Sequence, residues 1–143
     1  MFNTVVVAVD GSPSSERALE YGVQIARENS SHLVLAHVTE LVAGRSASPV
    51  RIGEQQLVEQ LSARAAALSK DGTPGAEFKS TTAALGGPAH AIAEIAEEAG
   101  ADLLITGTRG HTGLTGLVVG GVAQRILHLA PCPVLIVPEP HEN

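Results

Sequence analysis

In the stretch Asp102-Leu103-Leu104-Ile105-Thr106-Gly107-Thr108-Arg109-Gly110-His111-Thr112-Gly113-Leu114-Thr115-Gly116-Leu117-Val118-Val119-Gly120-Gly121-Val122-Ala123-Gln124-Arg125-Ile126, a short apolar run comes first and reads as a buried strand. At the far end Val122, Ala123, Ile126 and Ala130 recur at helical spacing, so a helix begins near Gly120 or Gly121. Six glycines lie within the fifteen residues from Gly107 to Gly121. Such a strand-to-helix loop suits a phosphate: positive φ is cheap, no Cβ blocks the backbone, and the helix presents unpaired N–H groups at its positive dipole end. The other reading is a surface loop whose glycines serve turns alone, because a lone glycine-rich loop is weak evidence.

Outward from this stretch, apolar runs alternate with helical patterns. Thr4 to Val9 is a continuous β-branched run, as expected of a strand covered on both faces. Ser12 and Pro13 then open a helix with the stripe Leu19, Gly22, Val23 and Ala26, reaching about Asn29. Leu33 to Val38 is a second strand, and Thr39 to Gly53 a long loop that holds Arg45 and Arg51. A second helix is expected from Glu54 to Lys70, and a polar, edge-like third strand from Glu77 to Ala84. A third helix follows Gly86-Gly87-Pro88, with the stripe Ala89, Ile92, Ala93, Ala96 and Ala99. Pro133 to Val137 is the fifth strand. Alternation of this kind implies a doubly wound parallel α/β sheet with helices on both faces, in one domain spanning residues 1–143.

Composition excludes several functions. The chain has no Trp, one Tyr and two Phe, so the core is aliphatic and stacking platforms for nucleic-acid bases are missing. A net charge of −6 leaves no basic footprint for nucleic acid or an anionic membrane. No apolar segment approaches the roughly 20 residues that span a bilayer. The start lacks a basic secretory leader, and the lone Cys132 has no disulfide partner, which together predict a cytoplasmic protein. The histidines show no ligand spacing, and no metal held by protein side chains alone is expected. Neither a phosphate loop with its lysine nor a G-x-S-x-G elbow occurs, so no catalytic residue is assigned.

The spacing Gly107, two residues, Gly110, nine residues, Gly120 resembles the nucleotide loop of the universal stress protein family, G-x2-G-x9-G-[ST]. The resemblance also takes in Val6-Val7-Ala8-Val9-Asp10-Gly11-Ser12, Ala36-His37-Val38, Gly87-Pro88-Ala89, Ala101 to Ile105, and Ala130 to Val137. One position departs from the pattern: Gly121 stands where ATP-binding members carry Ser or Thr. The absent hydroxyl is one hydrogen bond to a charged oxygen, roughly 1.5–3 kcal/mol, which weakens a site without removing its backbone donors.

The resemblance implies strand order 3-2-1-4-5, a relative of the flavodoxin-like and adenine nucleotide alpha hydrolase-like sheets. In that order strands one and four are neighbours where the winding reverses, and ligands bind outside the carboxyl ends of the strands there. The implied ligand is ATP, with ADP and cyclic AMP as alternatives and Mg²⁺ carried in on the nucleotide. The implied contacts are Ala8, Val9, Asp10, Val38, Thr106, Gly107, Thr108, Arg109, Gly110, Gly120, Gly121 and Val122. Asp10 has two readings, a carboxylate near ribose or metal-bound phosphate, and a turn residue before Gly11 and Ser12. The resemblance further implies a stress-response nucleotide sensor with at most slow hydrolysis. Its homodimer pairs the last strand, Val134, Leu135, Ile136 and Val137, across a two-fold axis, and an unidentified protein partner reads its state. A weak ATPase or phosphotransferase, and an interaction protein that has lost its nucleotide, are the alternatives.

Overall fold

Valine and leucine runs build the centre of the molecule. In the computed structural model, which describes residues 1–41, 53–73, 75–83, 87–108 and 119–140, five parallel strands form one sheet in the order β3-β2-β1-β4-β5. The strands are β1 (Thr4–Ala8), β2 (His32–Glu40), β3 (Glu77–Ala83), β4 (Leu103–Gly107) and β5 (Val134–Val137). The helices are α1 (Pro13–Asn29), α2 (Glu54–Lys70), α3 (Gly87–Ala99) and α4 (Gly121–Leu129). The expected order is the observed one.

Alternation along the central strands feeds two cores. Val5, Val7, Leu33, Leu35, Leu103 and Ile105 face α1 and α2, meeting Ala18, Leu19, Leu61 and Ala65. Val6, Ala8, Val34, Ala36 and Leu104 face α3 and α4, meeting Ala89, Ile92, Ala96 and Ile126. Burial on both faces is why β1 reads as an unbroken apolar run. Polar β3 is one edge, with Lys79 to Thr82 exposed, and β5 is the other.

The amino ends of β1 and β4 are stitched together. Asp102 accepts the N–H groups of Asn3 at 2.8 Å and Thr4 at 3.0 Å, and its own N–H donates to the Thr4 carbonyl at 3.0 Å. Partial burial pushes this carboxyl's pKa up. The amide donors, with help from the terminal ammonium, outweigh that effect and hold it below the ordinary aspartate value.

Three expectations need correction. The second strand is longer than expected at both ends, from His32 to Glu40, because parallel pairing with β3 continues to Glu40↔Ala83. The first, fourth and fifth strands shift by about a residue at their ends, the usual scatter of boundaries. Val122 does not belong to the buried stripe of the last helix: it is 39% exposed. This nine-residue helix buries a single line, Ala123 and Ile126, and leaves its opening turn at solvent.

Candidate functional site

At their carboxyl ends β1 and β4 part company. β1 turns through Asp10 and Gly11 into α1 on one face, and β4 leads through Gly107 and Thr108 toward α4 on the other. This is the reversal point of the winding, the place where open α/β sheets take ligands in the crevice outside their strand ends.

On the β1 side, Val9 extends the ladder by donating its N–H to the Ala36 carbonyl at 2.9 Å. Gly11 has φ of 83°, a left-handed turn that glycine adopts without strain. Asp10 Oδ1 accepts the Ser12 N–H at 2.9 Å, and the Asp10 N–H donates to Ser15 Oγ at 3.2 Å. The turn reading of Asp10 is therefore realised, and its half-buried carboxylate stands at the crevice. Ser12 caps α1, its Oγ accepting from the Ser15 N–H at 3.3 Å. This turn satisfies itself from its own side chains.

On the β4 side, Gly107 is a packing requirement. A Cβ placed there would fall 2.8 Å from the Ser14 carbonyl carbon and closer still to the Ser14 hydroxyl. The glycine lets α1 sit directly on the end of β4. Thr108 then donates its N–H to the Val137 carbonyl at 2.9 Å, and the Gly120 N–H donates to the Thr108 carbonyl at 2.6 Å. The start of α4 is pinned to the end of β4.

The cap of α4 is Gly120, which offers no side-chain acceptor. The first intrahelical bond runs from the Gln124 N–H to the Gly120 carbonyl, so the N–H groups of Gly121, Val122 and Ala123 have no acceptor within the helix. Gly121 and Val122 are exposed. Among the described residues no side chain caps these donors, which carry the positive end of the helix dipole, where a negative oxygen is stabilised.

The structure thus gathers Ala8, Val9 and Asp10 with Thr106, Gly107 and Thr108 at one edge, and Gly120, Gly121 and Val122 beside Thr108. Ala8, Val9, Thr106 and Gly107 are buried, so they offer backbone rather than side chain, and Val38 is half-buried at the end of β2. Arg109 and Gly110 lie outside the described residues, as do Arg45, Arg51 and His111. Among the described residues no cluster of three metal-ligating side chains occurs.

Two residues near this edge escaped sequence reasoning. His37, 2% exposed, faces α2; its Nδ1 lies 2.7 Å from the Val9 carbonyl oxygen and its Nε2 2.6 Å from Glu54 Oε1. A histidine inside the apolar run of β2 was the available signal, but its partner stands 17 residues away in sequence. Arg17 of α1 was missed too: its guanidinium donates to the carbonyls of Pro138 and Glu139, both at 3.2 Å, fastening the exit of β5.

Among known proteins, the family model described as the universal stress protein family matches residues 1–138. Universal stress protein YxiE of Bacillus subtilis is 34% identical over 148 residues, covering 96% of this chain and 99% of its own. Among solved structures, the universal stress protein UspA from Lactobacillus plantarum superposes with a TM-score of 0.72 at 22% identity, over 94% of this chain and 97% of that one. A universal stress protein solved in complex with cAMP has a TM-score of 0.66 at 27% identity, over 97% of this chain and 98% of that one.

Proposed function

The chain belongs to the universal stress protein family, and from that premise we propose that it is an adenine-nucleotide-binding regulatory module whose ligand sits across the carboxyl ends of β1 and β4. The observation that carries the reading is the uncapped start of α4, pinned by the Gly120–Thr108 bond beside the exit of β1. The similar protein solved with cAMP supports the adenine class.

In this arrangement the phosphates take the first-turn amides of Gly121 and Val122, with Gly120, Thr108, Arg109 and Gly110. The base lies toward Ala8, Val9 and Val38, and Thr106 and Gly107 form the floor. Asp10 faces the ribose or a Mg²⁺ ion carried by ATP, with its second carboxylate oxygen available beside the Oδ1 that holds Ser12. Binding is the function proposed, with hydrolysis at most slow, and a partner protein reads the nucleotide state. The module acts as a homodimer through the free edge of β5, Val134 to Val137, next to the exposed Leu127 and Leu129.

Calorimetry of the purified protein with ATP and Mg²⁺, AMP and cyclic AMP tests the central reading. Saturable heat at micromolar to millimolar ligand is expected, and no heat with any of the three at millimolar concentration overturns it. Light scattering at micromolar protein giving only monomer mass refutes the dimer.

A further inference from the structure

We infer that His37 and Glu54 are positioning residues for the base end of this crevice, the buried ring bridging the Val9 carbonyl to the Glu54 carboxylate and so tying the exit of β1 to the start of α2. What this says of the ligand rests on the nucleotide reading above. The bridge is a property of the protein itself.

His37 Nδ1 lies 2.7 Å from the Val9 carbonyl oxygen, and Nε2 lies 2.6 Å from Glu54 Oε1 and 3.2 Å from Oε2. Both ring nitrogens are thus engaged, one by the residue before Asp10 and the other by the carboxylate that opens α2. The side chains are 3% and 12% exposed, so bulk water is not a ready substitute for either partner.

The position of the pair gives the bridge its consequence. Glu54 is the first residue of α2, whose cap, Gly53, contributes no side-chain bond, and the buried residues of the helix, Leu61 and Ala65, come two turns later. The opening turn of α2 is tied down by His37. Through the same ring that tie reaches Val9, the residue before Asp10, and it lies one residue from Val38. Without the carboxylate, a clamp spanning β1, β2 and α2 loses its hold on the helix.

Other charged groups nearby have their own arrangements. Asp10 at the exit of β1 holds the Ser12 N–H, Glu40 at the end of β2 and Lys79 within β3 are exposed, and Glu16 of α1 pairs with Arg64 of α2. Among the described residues, only Val9 and Glu54 hydrogen-bond to the ring.

The test compares wild type with Glu54→Gln and Glu54→Ala, titrating AMP by calorimetry. Glu54→Ala, which leaves Nε2 without its partner, is expected to weaken AMP binding about tenfold, and Glu54→Gln, which keeps a polar group of the same shape beside the ring, to restore affinity to within about threefold of wild type. Proton NMR without nucleotide adds an independent arm: a downfield imidazole N–H resonance in wild type, lost in Glu54→Ala. Equal AMP affinity for wild type and Glu54→Ala overturns the positioning role. No binding by any of the proteins, with the resonance present, overturns the nucleotide reading and the positioning role with it, while the bridge between His37 and Glu54 stands. Absence of the resonance together with equal affinities removes the inference alone.

Discussion

Two helices, α1 and α4, leave the carboxyl edge of the sheet from neighbouring strands, and they begin in opposite ways. The start of α1 is capped by its own side chains: Ser12 Oγ accepts the Ser15 N–H, Asp10 holds the Ser12 N–H, and Ser12, Ser14 and Ser15 are all buried. The start of α4 has glycine at the cap, and its first two residues, Gly121 and Val122, are exposed. Both helices carry the same dipole per turn, so the dipole does not distinguish them. What distinguishes them is a side-chain cap, which α1 has in Ser12 and α4 lacks. On the proposed reading the serines of α1 serve the fold and the glycines of α4 serve the ligand.

The largest expected effect comes from the place where the two helices share a strand end. Gly107→Val would drive a branched side chain into Ser14, including its backbone, which is not free to rotate away. Overpacking of this kind typically costs 1–3 kcal/mol; with backbone as the obstacle we expect about 3 kcal/mol. The expected outcome is a large fall in the thermal midpoint with loss of nucleotide binding. A Gly107→Val protein with wild-type stability would mean that α1 does not rest on β4 as described.

Next in size is a gain. At Gly121 an added Cβ meets nothing within 4 Å, and the backbone is not left-handed, so a side chain enters without strain. Gly121→Ser should therefore raise ATP affinity by about ten- to a hundredfold, the worth of one hydrogen bond to a charged oxygen. The thermal midpoint should be unchanged or slightly higher, because serine is the better helix former. Unchanged affinity in calorimetry would place the phosphates somewhere other than the start of α4.

A smaller effect, at the opposite end of the same strand pair, separates stability from binding. Asp102→Asn removes the charge that holds the Asn3 and Thr4 amides and should cost about 1.5 kcal/mol at neutral pH, with nucleotide affinity unaltered. The native pKa of Asp102 is lowered, so its contribution is present above the unfolded value of about 3.9 and is lost as pH falls through the native value. The gap in thermal midpoint between variant and wild type should accordingly close below about pH 4. A gap independent of pH would assign the loss to packing rather than to the carboxylate.

How much of this was legible beforehand follows the range of the interactions. The second helix, Glu54 to Lys70, was read with the observed ends, because apolar spacing and a terminal Asp-Gly pair are local signals. Strand order came with the family resemblance, and the reversal point followed from the order. The Gly107–Ser14 packing was invisible, since the glycine's reason lies in another helix. The His37–Glu54 pair was invisible for the same cause: its members are 17 residues apart in sequence. Val122 was misread because periodicity reports a stripe and says nothing of where a short helix overhangs the sheet.

Ser12→Ala is the smallest change and the sharpest test of the contrast between the helices. It removes the acceptor for the Ser15 N–H, an N-cap loss of about 1 kcal/mol. If the serines of α1 are structural only, the midpoint falls by a few degrees and ATP affinity stays within about threefold of wild type. If the first-turn donors of α1 take part in holding phosphate, removal of the competing hydroxyl should instead strengthen binding, since a donor formerly occupied becomes available. Opposite signs are thus expected from the two arrangements, and calorimetry of this one variant decides whether the anion is held by α4 alone or is shared between two helix ends.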